Sequence, residues 1–590
     1  MKYIYCLLFL FFCHITVLGQ SFIIETELFQ EKGGWLTETQ FVDQVGSAYL
    51  LAHGLGEPVD DAYTVVSAQD TGIYFMWIRT KDWIPETNGP GKFEVLINNE
   101  KLGGSYGSDG IFDWHWVYCG MVSFSGEPVK IVLKDLSGFG GRCDAMFFSK
   151  NKETRLPSTR DERNAISATH NKASVSEGYF DLVVSGGGVA GICCALQAAR
   201  LGLKVALINN RPMPGGASSS EVRVSADGDT FRNRYHALGR IVREVDNGYA
   251  GIGGNSTSLY RDDERRKIIL NERNISLFEN MHVEGVEMKS DTISGLYAIN
   301  LNTHERHYFR GSLFADCTGD ATVGILAGAD SKYGRESRDE TGEASAPLQS
   351  DNLVMGSSNQ WYAEKTGSET GFSIQPWMLK FTDDYHFELT SSVWNWESGF
   401  NNWNTVIDAE VIRDHNLRAI YSNWAYIKTH KPEKFGMYKL KYLSHIAGKR
   451  ESYRLMGDFI LKEQDIVNKV EYPDAVVTTT WGIDLHYPEP KNTARFPGQE
   501  FVAYAVHPSK EKDVYTFPYR CLYSRNIPNL FMAGRNISVT HVALGAVRVQ
   551  RCTGMMGEVV GLAAYLCRKN NCYPRDVYQK YLSELLELCE

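Results

Sequence analysis

Gly186-Gly187-Gly188-Val189-Ala190-Gly191 has the spacing G-x-G-x-x-G, in a place where that spacing has a use. The apolar run Phe180–Ser185 leads into it, the apolar stretch Ile192–Leu201 follows, and Lys204–Ile208 completes a strand–helix–strand unit. In such a unit Gly186 allows a tight turn, Gly188 lets the backbone approach a diphosphate, and Gly191 lets helix and strand pack closely. The diphosphate then meets free N–H groups at the positive end of the helix, near Val189 and Ala190. The position after the second strand, usually acidic, is Asn209 followed by Asn210. An amide there can still bond a ribose hydroxyl, without the strength of a charge.

Further motifs narrow the nucleotide. Pro214–Arg223 (PGGASSSEVR), Asp316–Ala321 (DCTGDA), Gly448–Asp465, Trp481–His486 (WGIDLH) and Asn529–Arg551 (NLFMAGRNISVTHVALGAVRVQR) occur in that order. Together with the glycine turn they resemble a family of FAD-dependent oxidoreductases with a glutathione-reductase-type flavin domain, over roughly residues 179–575. The resemblance implies FAD as cofactor. It would be held by the glycine turn, Asn209, Asn210, Gly215, Gly216, Ala217, Ser218 and Arg223. The turn residues Thr318, Gly319 and Asp320, and Gly534, Arg535, Ser538, Ala543, Gly545 and Ala546 of the return segment, would complete the cradle. Gly545 would let the ring system come close, and a helix beginning at Gly554 would face the electron-rich end of the reduced ring. The cysteine clusters of relatives with iron–sulfur chemistry are missing, so that chemistry is not implied.

Oxidising a carbinol requires a base for the hydroxyl proton while hydride leaves the carbon, and histidine suits neutral pH. His541 in the return segment is the first candidate and His486 the second, with Asp484 nearby. Arg548 and Arg223 could neutralise a reduced flavin or orient a polar substrate, with Glu221 as a supporting partner. No second G-x-G-x-x-G unit exists, and Gly251-Ile252-Gly253-Gly254 has the wrong spacing. Electrons must therefore leave by another route, to a quinone, oxygen or an unidentified carrier.

The elements that must position these groups fall into a multidomain plan. Residues 1–19 read as a secretory signal peptide: Lys2, apolar Ile4–Phe12, then Val17-Leu18-Gly19. Residues 20–150 carry alternating segments, Ile73–Thr80, Lys92–Ile97 and Val129–Leu136, expected to form an all-β sandwich. This region resembles the golvesin-like, carbohydrate-lyase-associated module, through Gly33-Gly34-Trp35, Trp77-Ile78-Arg79-Thr80, Trp114-His115-Trp116 and Asp135–Ala145. Trp114 and Trp116 would share one strand face, as a glycan platform or as core. Residues 151–178 read as a linker, 179–335 and 521–590 as the two parts of an α/β, Rossmann-like FAD domain, and 336–520 as an inserted α+β substrate or cap domain. That insertion holds Trp361, Trp377, Trp394, Trp396, Trp403, Trp424 and Trp481. Aromatic faces suit the C–H faces of sugars, and Trp394-Asn395-Trp396 with Trp403 is the first cluster to examine.

The net charge of −10 and the lack of basic runs disfavour nucleic acid as a partner. No segment is long enough to be a transmembrane span, and no metal site is expected. Ten of the 12 cysteines follow the expected leader. No C-x-x-C occurs, Cys567 with Cys572 or Cys119 with Cys143 are possible pairs, and Cys193-Cys194 belong to helix packing. The leading expectation is an exported, periplasmic, FAD-dependent oxidoreductase of a carbohydrate or polyol. The alternatives are a flavin-dependent reductase of a C=C or C=O bond, and a non-catalytic glycan-binding protein retaining a flavin fold.

Overall fold

The computed structural model describes residues 15–17, 20–68, 70–84, 88–166, 174–248, 253–509 and 514–590. The expected leader, apart from Ile15–Val17, lies outside the described residues, as do Gly251 and Ile252. The chain divides into two compact units, residues 1–171 and 172–590.

Alternating apolar residues in the first unit produce two sheets. One has the order Ile15–Val17, Ala62–Ala68, Val129–Asp135, Phe93–Ile97, Glu100–Lys101. The other runs Leu36–Glu38, Tyr49–Ala52, Gly141–Ser149, Gly72–Thr80, His115–Phe124, with Ser21–Glu25 also paired to Gly141–Ser149. Asn98 and Asn99 take positive φ (50° and 72°), closing the hairpin after Phe93–Ile97 as Asn commonly does. Phe93, Val95 and Ile131 from one sheet join Phe22, Leu50 and Met146 from the other in a single apolar cluster.

The opposite face of the larger sheet is covered too. Trp77, Phe147 and Trp116 pack against Leu156 and Ile166. Residues 151–166 are therefore not linker but part of this unit, and Arg160–Ile166 is a helix. Its Arg163 is buried and pairs with Asp144, which also binds Arg79 at 2.5 Å. Trp114 and Trp116 do not share a strand face. Trp114 precedes the strand and packs on Tyr49, whereas Trp116 donates its indole N–H to the Pro157 carbonyl at 2.8 Å.

The second unit is built on a seven-stranded sheet ordered Ile275–Phe278, Val205–Ile208, Val175–Ser185, Arg306–Asp316, Thr292–Asn300, Met281–Lys289, with Leu530–Met532 added to Arg306–Asp316. Strands flanked on both sides are apolar throughout, as Leu182–Val184 and Val205–Ile208 are. Parallel pairing sets Ser185 opposite Asp316 and Asp316 opposite Met532. The turns at 186, 317 and 533 thus leave the same edge of the sheet. Carboxyl ends of parallel strands are where such folds bind ligands.

The helix Val189–Arg200 packs on Gln550–Asn570. A Cβ at Gly557 would run into the Ala190 carbonyl, and one at Gly561 would lie 2.7 Å from the Gln197 side chain. These glycines set the close approach of the two helices. Residues 336–520 contribute the helix Ala409–His430 and two-stranded ribbons such as Leu485–Pro488 with Ala503–Val506. They are part of the same compact unit as the large sheet. Among the described residues, no helix is long and apolar enough to cross a membrane and no metal-ligating cluster occurs.

Candidate functional site

The three motif glycines meet different surroundings. A Cβ at Gly186, whose φ is +107°, would strike the Cys317 carbonyl, and one at Gly191 would strike the carbonyl of Gly186. At Gly188 a Cβ would find nothing within 4 Å. Two glycines are therefore demanded by packing, and the third faces the space a diphosphate needs. Gly215 donates its N–H to the Gly187 carbonyl at 2.7 Å, and a Cβ at Gly216 would lie 3.1 Å from the Gly188 Cα. The 214–218 loop thus joins the same cradle. Buried Arg265 braces it through the Pro214 carbonyl at 3.0 Å.

Asn209 is placed beside this turn but is already occupied. Its amide donates to the carbonyls of Arg211 (3.0 Å) and Met213 (2.9 Å), so neither N–H is free for a ribose. Asn210 is exposed.

Asp316 builds the second turn. Its buried carboxylate accepts from the Thr318 hydroxyl at 2.7 Å and the Gly324 N–H at 2.9 Å, and burial pushes its pKa up. Asp320, four residues on, opens toward the site and accepts from Lys449 Nζ at 2.6 Å and Arg535 at 2.7 Å. Burial acts to raise the Asp320 pKa, but the two cations outweigh it and hold it below the usual range. Arg535 also donates to Ser452 at 2.6 Å. Gly319 sits against the Arg535 guanidinium, 3.0 Å from where its Cβ would be.

The return segment differs from expectation in two ways. It forms two helices, His541–Val547 and Gln550–Asn570, rather than one beginning near Gly554. Gly545 approaches the backbone of Asp484, 2.8 Å from where a Cβ would be, instead of open space. Ser538, Ala543 and Ala546 are fully enclosed, and Ser538 Oγ has no partner. Gln550 reaches back to the Ser218 hydroxyl, linking the return to the cradle loop.

Both candidate histidines sit on buried glutamates. His541 Nδ1 lies 2.8 Å from Glu451 Oε2 and 3.0 Å from Oε1, while Nε2 is enclosed and has no partner. His486 Nδ1 lies 2.8 Å from Glu397, but its Nε2 is also taken, at 3.2 Å from Asp484. Burial acts to raise the pKa of each glutamate. The facing histidine together with Arg454, at Glu451, or Arg450, at Glu397, more than offsets it and holds both low. Asp484, bonded to Arg548 at 3.2 Å and to His486, is likewise held down, to about 2, against the effect of burial. Burial lowers the Arg548 pKa, which Asp484 partly restores.

Arg223 is anchored within the chain through its Nε and Nη1. It donates to the carbonyls of Ser220 (3.0 Å) and Gly254 (2.8 Å) and stacks on Tyr442 at 3.5 Å, on a backbone held at φ +62°. Glu221 pairs with Arg211. Of the tryptophans, Trp361, Trp377, Trp396 and Trp424 are core. Trp394 is 45 % exposed and stands edge-on to the His486 ring at 5.2 Å. A continuous path of contacts therefore leads from Gly188 through Gly215 and Ser218 to Gln550, and from neighbouring Arg548 through Asp484 and His486 to Trp394.

Glu451, Glu397, Lys449 and Arg450 were not singled out from sequence. The run Gly448–Ser452, three consecutive charges within a family-like segment, was the available signal. All ten described cysteines are free thiols, and Cys193 and Cys194 are fully buried.

A family model described as FAD dependent oxidoreductase matches residues 181–586. A 40-residue stretch is 60% identical to a glycerol-3-phosphate dehydrogenase of Mycobacterium leprae, covering 7% of this chain and 7% of that relative. Among solved structures, a geranylgeranyl bacteriochlorophyll reductase-like protein from Thermoplasma acidophilum is similar at 13% identity, covering 70% of this chain and 84% of that one (TM-score 0.33). The glycerol-3-phosphate dehydrogenase from Bacillus halodurans complexed with FAD is similar at 15% identity, over 32% of this chain and 40% of that one (TM-score 0.19). The chain belongs to the FAD-dependent oxidoreductase family, and FAD is its cofactor.

Proposed function

We propose that this flavoenzyme is exported and oxidises a carbinol of a carbohydrate or polyol, with His541 as the base. The observation that carries the substrate class is Trp394. Its exposed indole stands edge-on to His486, which is bonded to Asp484 and through it to Arg548, so an apolar ring lies beside a polar cluster, the pairing a sugar face and its hydroxyls suit.

FAD, when bound, supplies a two-electron hydride acceptor. The chain's own groups do the rest. The backbone around Gly188 and the 215–218 loop would hold the diphosphate, and Asp320 with Lys449 and Arg535 would bond the polar chain of the cofactor. His541, the one of the two candidate histidines with an unpartnered ring nitrogen, takes the hydroxyl proton. Export is supported by the charged, then apolar, N-terminus. A carbohydrate-binding role for the first unit is supported by its sequence motifs and its two facing sheets.

Anaerobic mixing of the FAD-loaded protein with a panel of saccharides and polyols tests the reading. Bleaching of the visible flavin band without added reductant is expected for at least one. A flavin that no member of the panel bleaches, yet that a chemical reductant does, would rule this substrate class out.

A further inference from the structure

Glu451 is completely enclosed, and the groups that contact its carboxylate are donors. The Met355 N–H lies 3.0 Å from it, the Arg454 guanidinium 3.7 Å, and His541 Nδ1 reaches both oxygens. A carboxylate only accepts. Nδ1 of a neutral His541 must therefore carry the ring's proton, which leaves the lone pair on Nε2. The backbone adds to the constraint: the His541 N–H donates to Glu336 at 3.0 Å, and the preceding Thr540 hydroxyl donates to Glu343 at 2.5 Å.

We propose that Glu451 is a positioning residue that fixes the Nδ1–H form of His541 and so makes Nε2 a proton acceptor. The inference rests on the reading of His541 as base given above, and it adds the tautomer. In the neutral ring the Nε2 lone pair can remove a proton, as oxidation of a carbinol requires. In that step the substrate O–H bond breaks and its proton bonds to Nε2. The O–H electron pair becomes the second bond of the carbonyl as the adjacent C–H hydrogen leaves with its own pair, for which bound FAD would supply the acceptor. The imidazolium formed then faces an anion across Nδ1–H instead of standing alone in a buried place.

The other charged or titratable groups facing this position include the carboxylates of Glu336, Glu343 and Asp351, the guanidiniums of Arg454, Arg335 and Arg548, and the phenols of Tyr333 and Tyr487. Glu336 pairs with Arg454 at 3.1 Å, and Asp351 pairs with Arg335. Glu451 is the carboxylate in direct contact with the ring. His486 cannot be poised in this way, because each of its nitrogens already faces a carboxylate oxygen.

The test combines Glu451→Gln and Glu451→Asp with nitrogen-15 spectra of labelled histidine in the resting wild type, assigned with His541→Asn. Glu451→Gln should keep FAD and slow its reduction by a bleaching substrate about tenfold to a hundredfold. The acidic limb of its pH–rate profile should move to lower pH, because the imidazolium has lost its anion. Glu451→Asp should recover part of the rate and return the limb toward the wild-type position. The resting spectrum should show His541 protonated at Nδ1. A Glu451→Gln profile identical to wild type, or an Nε2-protonated resting ring, would overturn the proposal. The spectrum needs no substrate, so it stands apart from a failure of the carbohydrate reading. It also decides the matter if Glu451→Gln does not fold.

Discussion

His541 and His486 each lie 2.8 Å from a buried glutamate, yet the two arrangements suit opposite tasks. At His541 the carboxylate occupies one nitrogen and leaves the other unpartnered. At His486 a second carboxylate, Asp484, occupies the other nitrogen, and Arg450 and Arg548 complete a closed ionic network. One ring keeps an unpartnered nitrogen, as the proposed base requires, whereas the other has both nitrogens bonded, as a strut would. The lesson is that a histidine–carboxylate contact carries no meaning until the second nitrogen is accounted for.

Breaking the strut should show first as lost stability. Glu397→Ala leaves His486 and Arg450 without their shared anion and should cost about 3–5 kcal/mol, the usual penalty for removing one partner of a buried pair. Denaturant unfolding of the FAD-loaded protein measures it; a loss under about 1 kcal/mol would mean the network is not holding the fold.

Acid should act on the same network. The Asp484 pKa is depressed in the folded chain, to about 2 from an ordinary value of 3.8. Its contribution is thus fully present above about pH 4 and lost as pH falls through about 2. The shift corresponds to about 2 kcal/mol. Asp484→Asn should flatten that part of the stability–pH curve, and an unchanged curve would remove Asp484 from the account.

The smallest effect concerns the platform. Trp394→Ala should raise KM for a stacking sugar about tenfold, the size of an aromatic contact, with kcat nearly unchanged. Equal loss in kcat would place Trp394 in the chemical step instead.

The sequence was most legible where sterics act over short range. The glycine turn, its strand and its helix follow from residues only a few positions apart, and the open surroundings of Gly188 contrast with the crowding at Gly186 and Gly191 as the spacing requires. Longer connections were not legible. Glu451 is 90 residues from His541 and Glu397 is 89 from His486, so no local pattern pairs them. At Asn209 the amide N–H groups are taken by two carbonyls of the loop that follows, which leaves its oxygen to meet a ribose hydroxyl. The ring on which Arg223 stacks is Tyr442, far along the chain, which no local pattern announces. Gly545 was read as a close approach to the flavin ring; the backbone it approaches is that of Asp484.

The division between a working histidine and a structural one is tested most directly by single-turnover flavin reduction under anaerobic conditions. Wild type, His541→Asn and His486→Asn would be compared with one bleaching substrate at saturation. His541→Asn should keep its flavin and be reduced about a hundredfold or more slowly, while His486→Asn should stay within about tenfold of wild type and lose mainly stability. A normal rate in His541→Asn would contradict that division, the more so if His486→Asn were the variant that could not be reduced.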